Sequence, residues 1–130
     1  MSGLDFPAIL AEHARVAIVG GPGAGKTTLS GTVTDREVFH TDDTVAGSWE
    51  SVPHTWLATT REVERFVIEG VQTARYLRKA AELGLPCPVD AVVHLEAPRI
   101  RLTSRQAGMC KGVTKTFGDW RRLSPDVPVF

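Results

Sequence analysis

An α/β fold with a parallel sheet of four to five strands flanked by helices is what this sequence predicts, and three observations predict it. Short apolar runs rich in β-branched residues alternate with stretches of helical spacing along most of the 130 residues. A glycine-rich stretch joins the first run to the first helical segment, and acidic residues close the second and third runs. Strands alternating with helices imply parallel pairing through right-handed crossovers. In such a sheet, ligands collect beyond the carboxyl ends of the strands.

The elements follow in order. Residues 5–13 form a short amphipathic lead. Arg15–Val19 reads as a strand buried on both faces, because its apolar residues run without alternation. A helix is expected over Lys26–Thr34, a strand over Glu37–Thr41 and a helix around Pro53–Glu64. Arg65–Ile68 reads as the third strand. Val71–Leu83 places Val71, Ala74, Leu77 and Ala81 at helical spacing, and Gly84 followed by Pro86 ends it. Ala91–Leu95 is the fourth strand.

The length and the ordinary apolar content fit one domain covering residues 1–130. No run of 18 apolar residues and no signal-peptide pattern occurs, so a soluble, cytoplasmic protein without membrane attachment is expected. Cys87 and Cys110 lack metal-site spacing and read as reduced thiols. The formal net charge of zero hides an asymmetry. Between Arg99 and Arg122 stand Arg99, Arg101, Arg105, Lys111, Lys115, Arg121 and Arg122 against Asp119 alone, a local excess of six positive charges. Such a block is ordinarily a solvated face, but beside a phosphate site it also supplies anion clamps.

The stretch "GGPGAGKT", Gly20 to Thr27, matches G-x-x-x-x-G-K-[ST] between a strand and a helix, the context that gives this pattern its meaning. Glycines let successive backbone N–H groups turn inward on phosphate oxygens, where side chains would block the approach. The cradle for a nucleoside triphosphate is thus Gly21, Pro22, Gly23, Ala24, Gly25, Lys26, Thr27 and Thr28. The Lys26 amine is expected on the β- and γ-phosphates, the Thr27 hydroxyl on Mg²⁺, and Thr28 near the α-phosphate. With this motif in place, the fold class sharpens to a three-layer P-loop NTPase fold.

The other strand ends point to the same place. Strand two closes on "FHTDD", which puts Asp42 and Asp43 where an acceptor hydroxyl would come; one carboxylate takes or orients its proton, and the other reaches Mg²⁺ through water. The alternative for the pair is the start of a surface loop or a helix cap. Strand three closes on "FVIEG", which puts Glu69 at the position of a Walker B acid, open to two roles: orienting a metal-bound water or holding the substrate. The candidate metal ligands are therefore Thr27, Asp42 and Glu69. After strand four, "RIRLTSRQAGMCKG" reads as a lid segment of about 99–112 that carries cations onto the transferring phosphoryl group. Arg105 is the first choice there, with Gln106 beside it. Trp49 and Trp56 are candidates for stacking on a base, though core packing explains them as well. His13, His40 and His94 have no ligand spacing and read as structural.

Through "GGPGAGKTT", "HTDD" with a nearby Trp, "IEGVQTARYLRK" and "RQAGMCKGV", the chain resembles small phage-type P-loop kinases. These are similar to polynucleotide-kinase-like enzymes and to phage 5-hydroxymethyluracil DNA kinases. The resemblance spans most of residues 15–115. It implies ATP and Mg²⁺ as cofactors, DNA as the substrate partner, and phosphorylation of the hydroxymethyl group of a modified base. It also implies Asp42 as a catalytic carboxylate and the arginines after Pro98 as a lid. The basic Arg99–Arg122 block leans the same way, because phosphate contacts dominate nucleic-acid affinity. Two alternatives stand beside it: a kinase of a free nucleotide, nucleoside or small metabolite, and a P-loop NTPase whose only acceptor is water.

Overall fold

The computed structural model describes residues 5–21, 23–41, 51–95 and 101–130. The order of elements is α1 (Phe6–Glu12), β1 (Arg15–Gly20), α2 (Lys26–Ser30), β2 (Glu37–His40), α3 (Val52–Thr60), β3 (Phe66–Glu69), α4 (Thr73–Glu82), β4 (Ala91–Leu95) and α5 (Ser104–Leu123). The four strands form one sheet in the order β2-β3-β1-β4, every pair parallel.

β1 lies between β3 and β4 and is buried from Val16 to Gly20. That position explains its unbroken apolar run, since both of its faces are covered. Alternate residues feed two separate cores. Val16 and Ile18 pack with Val67, Ala91, Val93, Phe6 and Ile9, against which Leu29 and Val33 also rest. Ala17 and Val19 pack with Phe66, Ile68, Tyr76, Leu77, Val113, Phe117 and Trp120. The molecule is therefore three-layered, with α1 and α2 on one face of the sheet and α4 and α5 on the other.

Several elements depart from the sequence expectation. α2 stops at Ser30 rather than Thr34, because tight turns through Gly31, Thr32 and Val33 replace the helical bonds. α4 begins at Thr73 after a turn closed by the Thr73 N–H on the Gly70 carbonyl. The third strand sits one residue later, so Glu69 is its last member. α5 runs for 20 residues, well beyond the expected lid segment, and begins at a reciprocal cap between Thr103 and Gln106. After α5 the chain returns along β4, where the Val92 N–H donates to the Pro128 carbonyl at 2.9 Å, the Phe130 N–H donates to the Val92 carbonyl at 2.8 Å, and the His94 N–H donates to the Phe130 carbonyl at 2.9 Å.

Arg36 ties this framework together at the opposite end of the sheet from the glycine-rich loop. Its side chain is fully buried and donates to the carbonyls of Leu10, His13 and Ala14 at 2.6–2.9 Å, as well as to the Asp35 carboxylate. The carbonyls at the end of α1 thereby gain a cationic donor, the partner that the end of a helix lacks. No helix among the described residues is long and apolar enough to cross a membrane.

Candidate active site

β1 and β3 are neighbours, yet the chain leaves them toward opposite faces of the sheet: α2 follows β1 on one side and α4 follows β3 on the other. A crevice opens beyond carboxyl ends arranged in this way. The glycine-rich loop leaves β1 there, and Glu69 ends β3 beside it, in register with Ile18.

The loop's shape follows from its glycines. Gly23 and Gly25 have φ of 77° and 95°, values that side-chain-bearing residues rarely adopt, so the chain turns sharply into α2 at Lys26. Gly21 is required for a different reason. A Cβ placed on it would lie 2.3 Å from Cys110 Sγ and 2.9 Å from Cys110 Cα, so α5 can pack on the loop only because Gly21 has no side chain. Lys26 is buried, and its Nζ donates to the Gly21 carbonyl at 2.7 Å. Ala24 is buried, whereas Thr27 and Thr28 stand exposed on α2. Pro22 lies outside the described residues.

A second cluster gathers at the adjoining strand ends. Glu69 is 3% exposed, and its Oε1 lies 2.6 Å from Nδ1 of His40, its partner in register on β2. One residue on, the buried Thr41 hydroxyl accepts the Gln72 N–H at 3.3 Å, which ties the end of β2 to the start of α4. This places the chain entering Asp42 against the β3–α4 turn; Asp42 and Asp43 themselves lie outside the described residues, as do Trp49 and Arg99. The His40–Glu69 pair escaped the sequence reading, which took His40 as structural. The signal was there: both residues end strands, and the order β2-β3-β1 sets them side by side.

The basic block divides in two. Its C-terminal half is structural. Asp119 pairs with Arg78, Lys115 and Arg122, and hydrogen bonding from Lys115 holds its carboxyl below the usual range. Arg121 donates to the carbonyls of Ser124 and Val127, which fixes the returning tail. In the N-terminal half Arg101, Arg105 and Lys111 are exposed and form no ion pair among the described residues. Gln106 is committed to the cap: its Oε1 accepts the Thr103 N–H at 3.0 Å.

Trp56 packs against Phe39 with ring centroids 5.7 Å apart and joins the edge of the core, as its packing alternative expects. His94 rests on Phe117 and His13 near Phe130, both aromatic contacts of the framework. Neither Cys87 nor Cys110 forms a disulfide among the described residues. Among the described residues, no group of three or more His, Cys, Asp and Glu side chains is arranged to hold a metal ion. Comparison with protein-family models and with curated proteins returned no match for this chain.

Proposed function

We propose that this chain is a Mg²⁺- and ATP-dependent phosphotransferase that moves the γ-phosphate to a hydroxyl, the acceptor implied by its resemblance being the hydroxymethyl group of 5-hydroxymethyluracil in DNA. The observation that carries the reading is the buried ammonium of Lys26, held 2.7 Å from the Gly21 carbonyl at the switch point of a parallel sheet. A cation taken out of water favours an anionic partner. Phosphate oxygens within a rotation of that side chain offer it better partners.

The residues present fit the donor. The turns at Gly23 and Gly25 keep side chains out of the loop, and Thr27 leaves its hydroxyl exposed where Mg²⁺ would be held. Magnesium, when bound, supplies the positive charge that draws electrons from the phosphoryl oxygens. Thr27, Asp42 and Glu69 are the residues that would hold it. His40 fixes the Glu69 carboxylate through Oε1, which orients the second oxygen. Asp42 receives the acceptor's proton in this reading, with Asp43 beside it, and Arg105 and Lys111 on α5, together with Arg101 just before it, bring positive charge. ATP and DNA are the partners, and the cytoplasm, where ATP is abundant, is the setting.

The test supplies γ-labelled ATP and Mg²⁺ with plain DNA, DNA bearing 5-hydroxymethyluracil, 5′-hydroxyl ends, or free nucleosides. Label on the modified DNA is the expected outcome. Label on free nucleosides alone points to a small-molecule kinase, and label only in free phosphate shows that water is the acceptor.

A further inference from the structure

We infer that Gly21 is a relay between the glycine-rich loop and α5: an anion that draws Lys26 off the Gly21 carbonyl releases the front of the helix, residues 104–112. The inference rests on the phosphotransferase reading for the identity of that anion, but not for the link itself.

Gly21 meets its two partners through different atoms. Its carbonyl accepts the Lys26 ammonium at 2.7 Å and the Ala24 N–H at 3.3 Å. Its Cα lies so near α5 that a Cβ built there falls 2.3 Å from Cys110 Sγ, 2.9 Å from Cys110 Cα and 3.0 Å from Cys110 Cβ. Loop and helix therefore touch without a flexible side chain of Gly21 between them, and a turn of the Gly21 backbone is felt by the backbone of Cys110. Gly20 is held on the other side, since a Cβ there would come 3.0 Å from the Leu95 carbonyl oxygen and 3.1 Å from Ala24 Cβ. A change in the loop is thus passed on at Gly21 rather than absorbed by β1.

An anion competes for the Lys26 ammonium because its oxygens carry charge and the Gly21 carbonyl does not. Once Lys26 turns to it, the carbonyl is left with the longer bond from Ala24, and the peptide is freer to rotate. On the helix side, the front of α5 is the part able to respond. Gly108 and Gly112 lower its helix propensity, and a Cβ on either meets nothing within 4 Å. From Val113 onward the helix is pinned by Phe117 and Trp120 in the core. Arg105 and Lys111 ride on the front half, so the relay makes the position of these cations depend on what the loop holds. Linkage makes the effect reciprocal: a ligand that clamps the front of α5 changes the loop's affinity for its anion by the same factor.

Hydrogen exchange read by mass spectrometry tests the relay on two segments, 104–112 and 113–123. Lys26→Met removes the ammonium and keeps most of the side-chain volume. Without nucleotide, this variant is expected to speed exchange of 104–112 about tenfold, the factor of one lost charge-assisted bond, and to leave 113–123 unchanged. The unaltered protein with Mg²⁺ and a non-hydrolysable ATP analogue, its binding checked by calorimetry, should show the same acceleration. In a Cys110→Ala background the effect of Lys26→Met should shrink, because the sulfur contact with Gly21 is gone. Unchanged or slower exchange of 104–112, in the variant or in the nucleotide-bound protein, overturns the inference. Equal acceleration of both segments, or an undiminished effect beside Cys110→Ala, does so too. If Lys26→Met does not fold, Lys26→Ala takes its place, and if neither folds, the nucleotide-bound protein decides. If calorimetry finds no nucleotide bound, the donor reading fails and the Lys26 variants alone decide the relay.

Discussion

His40 and Glu69 meet at 2.6 Å, Nδ1 to Oε1, across the ends of two parallel strands. The carboxylate is buried and the imidazole is partly open to solvent, so His40 stands between Glu69 and water. Replacing His40 by Ala removes the partner of a buried carboxylate. Unfolding in urea is expected to show a loss of about 1–3 kcal/mol. Glu69→Gln in the same background should recover part of it, because the charge no longer needs compensation; additive losses in that double-mutant cycle would show that the pair is uncoupled.

Lys26→Ala bears on the donor site. ATP affinity measured by calorimetry is expected to fall at least about tenfold, the equivalent of about 1.4 kcal/mol. The bond lost to the Gly21 carbonyl lies within the glycine-rich loop, so the sheet should survive. Unchanged affinity would remove the triphosphate assignment.

Gly21→Ala tests the seat of α5 on the loop. The new methyl would overlap both Cys110 Sγ and Cys110 Cα, and the second is backbone that cannot swing aside. A destabilisation of about 1–3 kcal/mol is expected. Cys110→Ala added to it should relieve only part of the loss, as only the sulfur contact is removed. Full recovery of the unfolding temperature would contradict that geometry.

Arg36 and Asp35 set the acid side of the stability profile. Hydrogen bonding from Arg36, the larger contribution, and from Arg65 holds the Asp35 carboxyl well below the usual range. The folded form therefore prefers the ionised group. That stability is fully present above about pH 4 and is lost as pH falls toward the depressed folded value. Asp35→Asn should flatten the acid limb of a plot of unfolding free energy against pH. Arg36→Met, which strands three carbonyls, is expected to cost about 3–5 kcal/mol at neutral pH.

Tyr76 and Thr60 set the alkaline side. The single Thr60 hydroxyl hydrogen goes to the Trp56 carbonyl at 2.9 Å, so Tyr76 is the donor in the 2.7 Å contact with Thr60. Burial pushes the phenol above its ordinary value. Its contribution is present below about pH 10 and is lost as pH rises toward the folded value, because the unfolded chain releases the proton first. Tyr76→Phe should cost about 1 kcal/mol at neutral pH and weaken the alkaline loss, both read from urea unfolding.

The sheet was legible in the sequence because central strands buried on both faces carry an unbroken apolar signal; all four fall within one residue of their expected bounds. Helix ends were less legible. Gly31 and the following hydroxyl residues stop α2 early through turns whose energies are small. The length of α5 was obscured by Gly108, Gly112 and Gly118, poor helix formers, although Val113, Phe117 and Trp120 at helical spacing mark its buried face. Lys26 and the loop could be read from local spacing alone. His40 against Glu69, and Cys110 against Gly21, are contacts between distant segments that appear only once the strand order is known. Asp42 and Asp43, named from their place after strand two, lie outside the described residues.

Helix α5 is one unbroken rod of 20 residues, roughly 30 Å long, whose two halves are held very differently. From Val113 onward it is anchored by Phe117, Trp120 and the arginine-fixed tail. Its first turns rest on the loop through Cys110 and include two glycines with open space around them. Amide hydrogens should therefore exchange along a gradient, fast from Ser104 to Gly112 and slow from Val113 to Leu123. A ligand that clamps the front of the helix would slow the fast half alone, so protection there would measure how much order the chain gains when its crevice is filled.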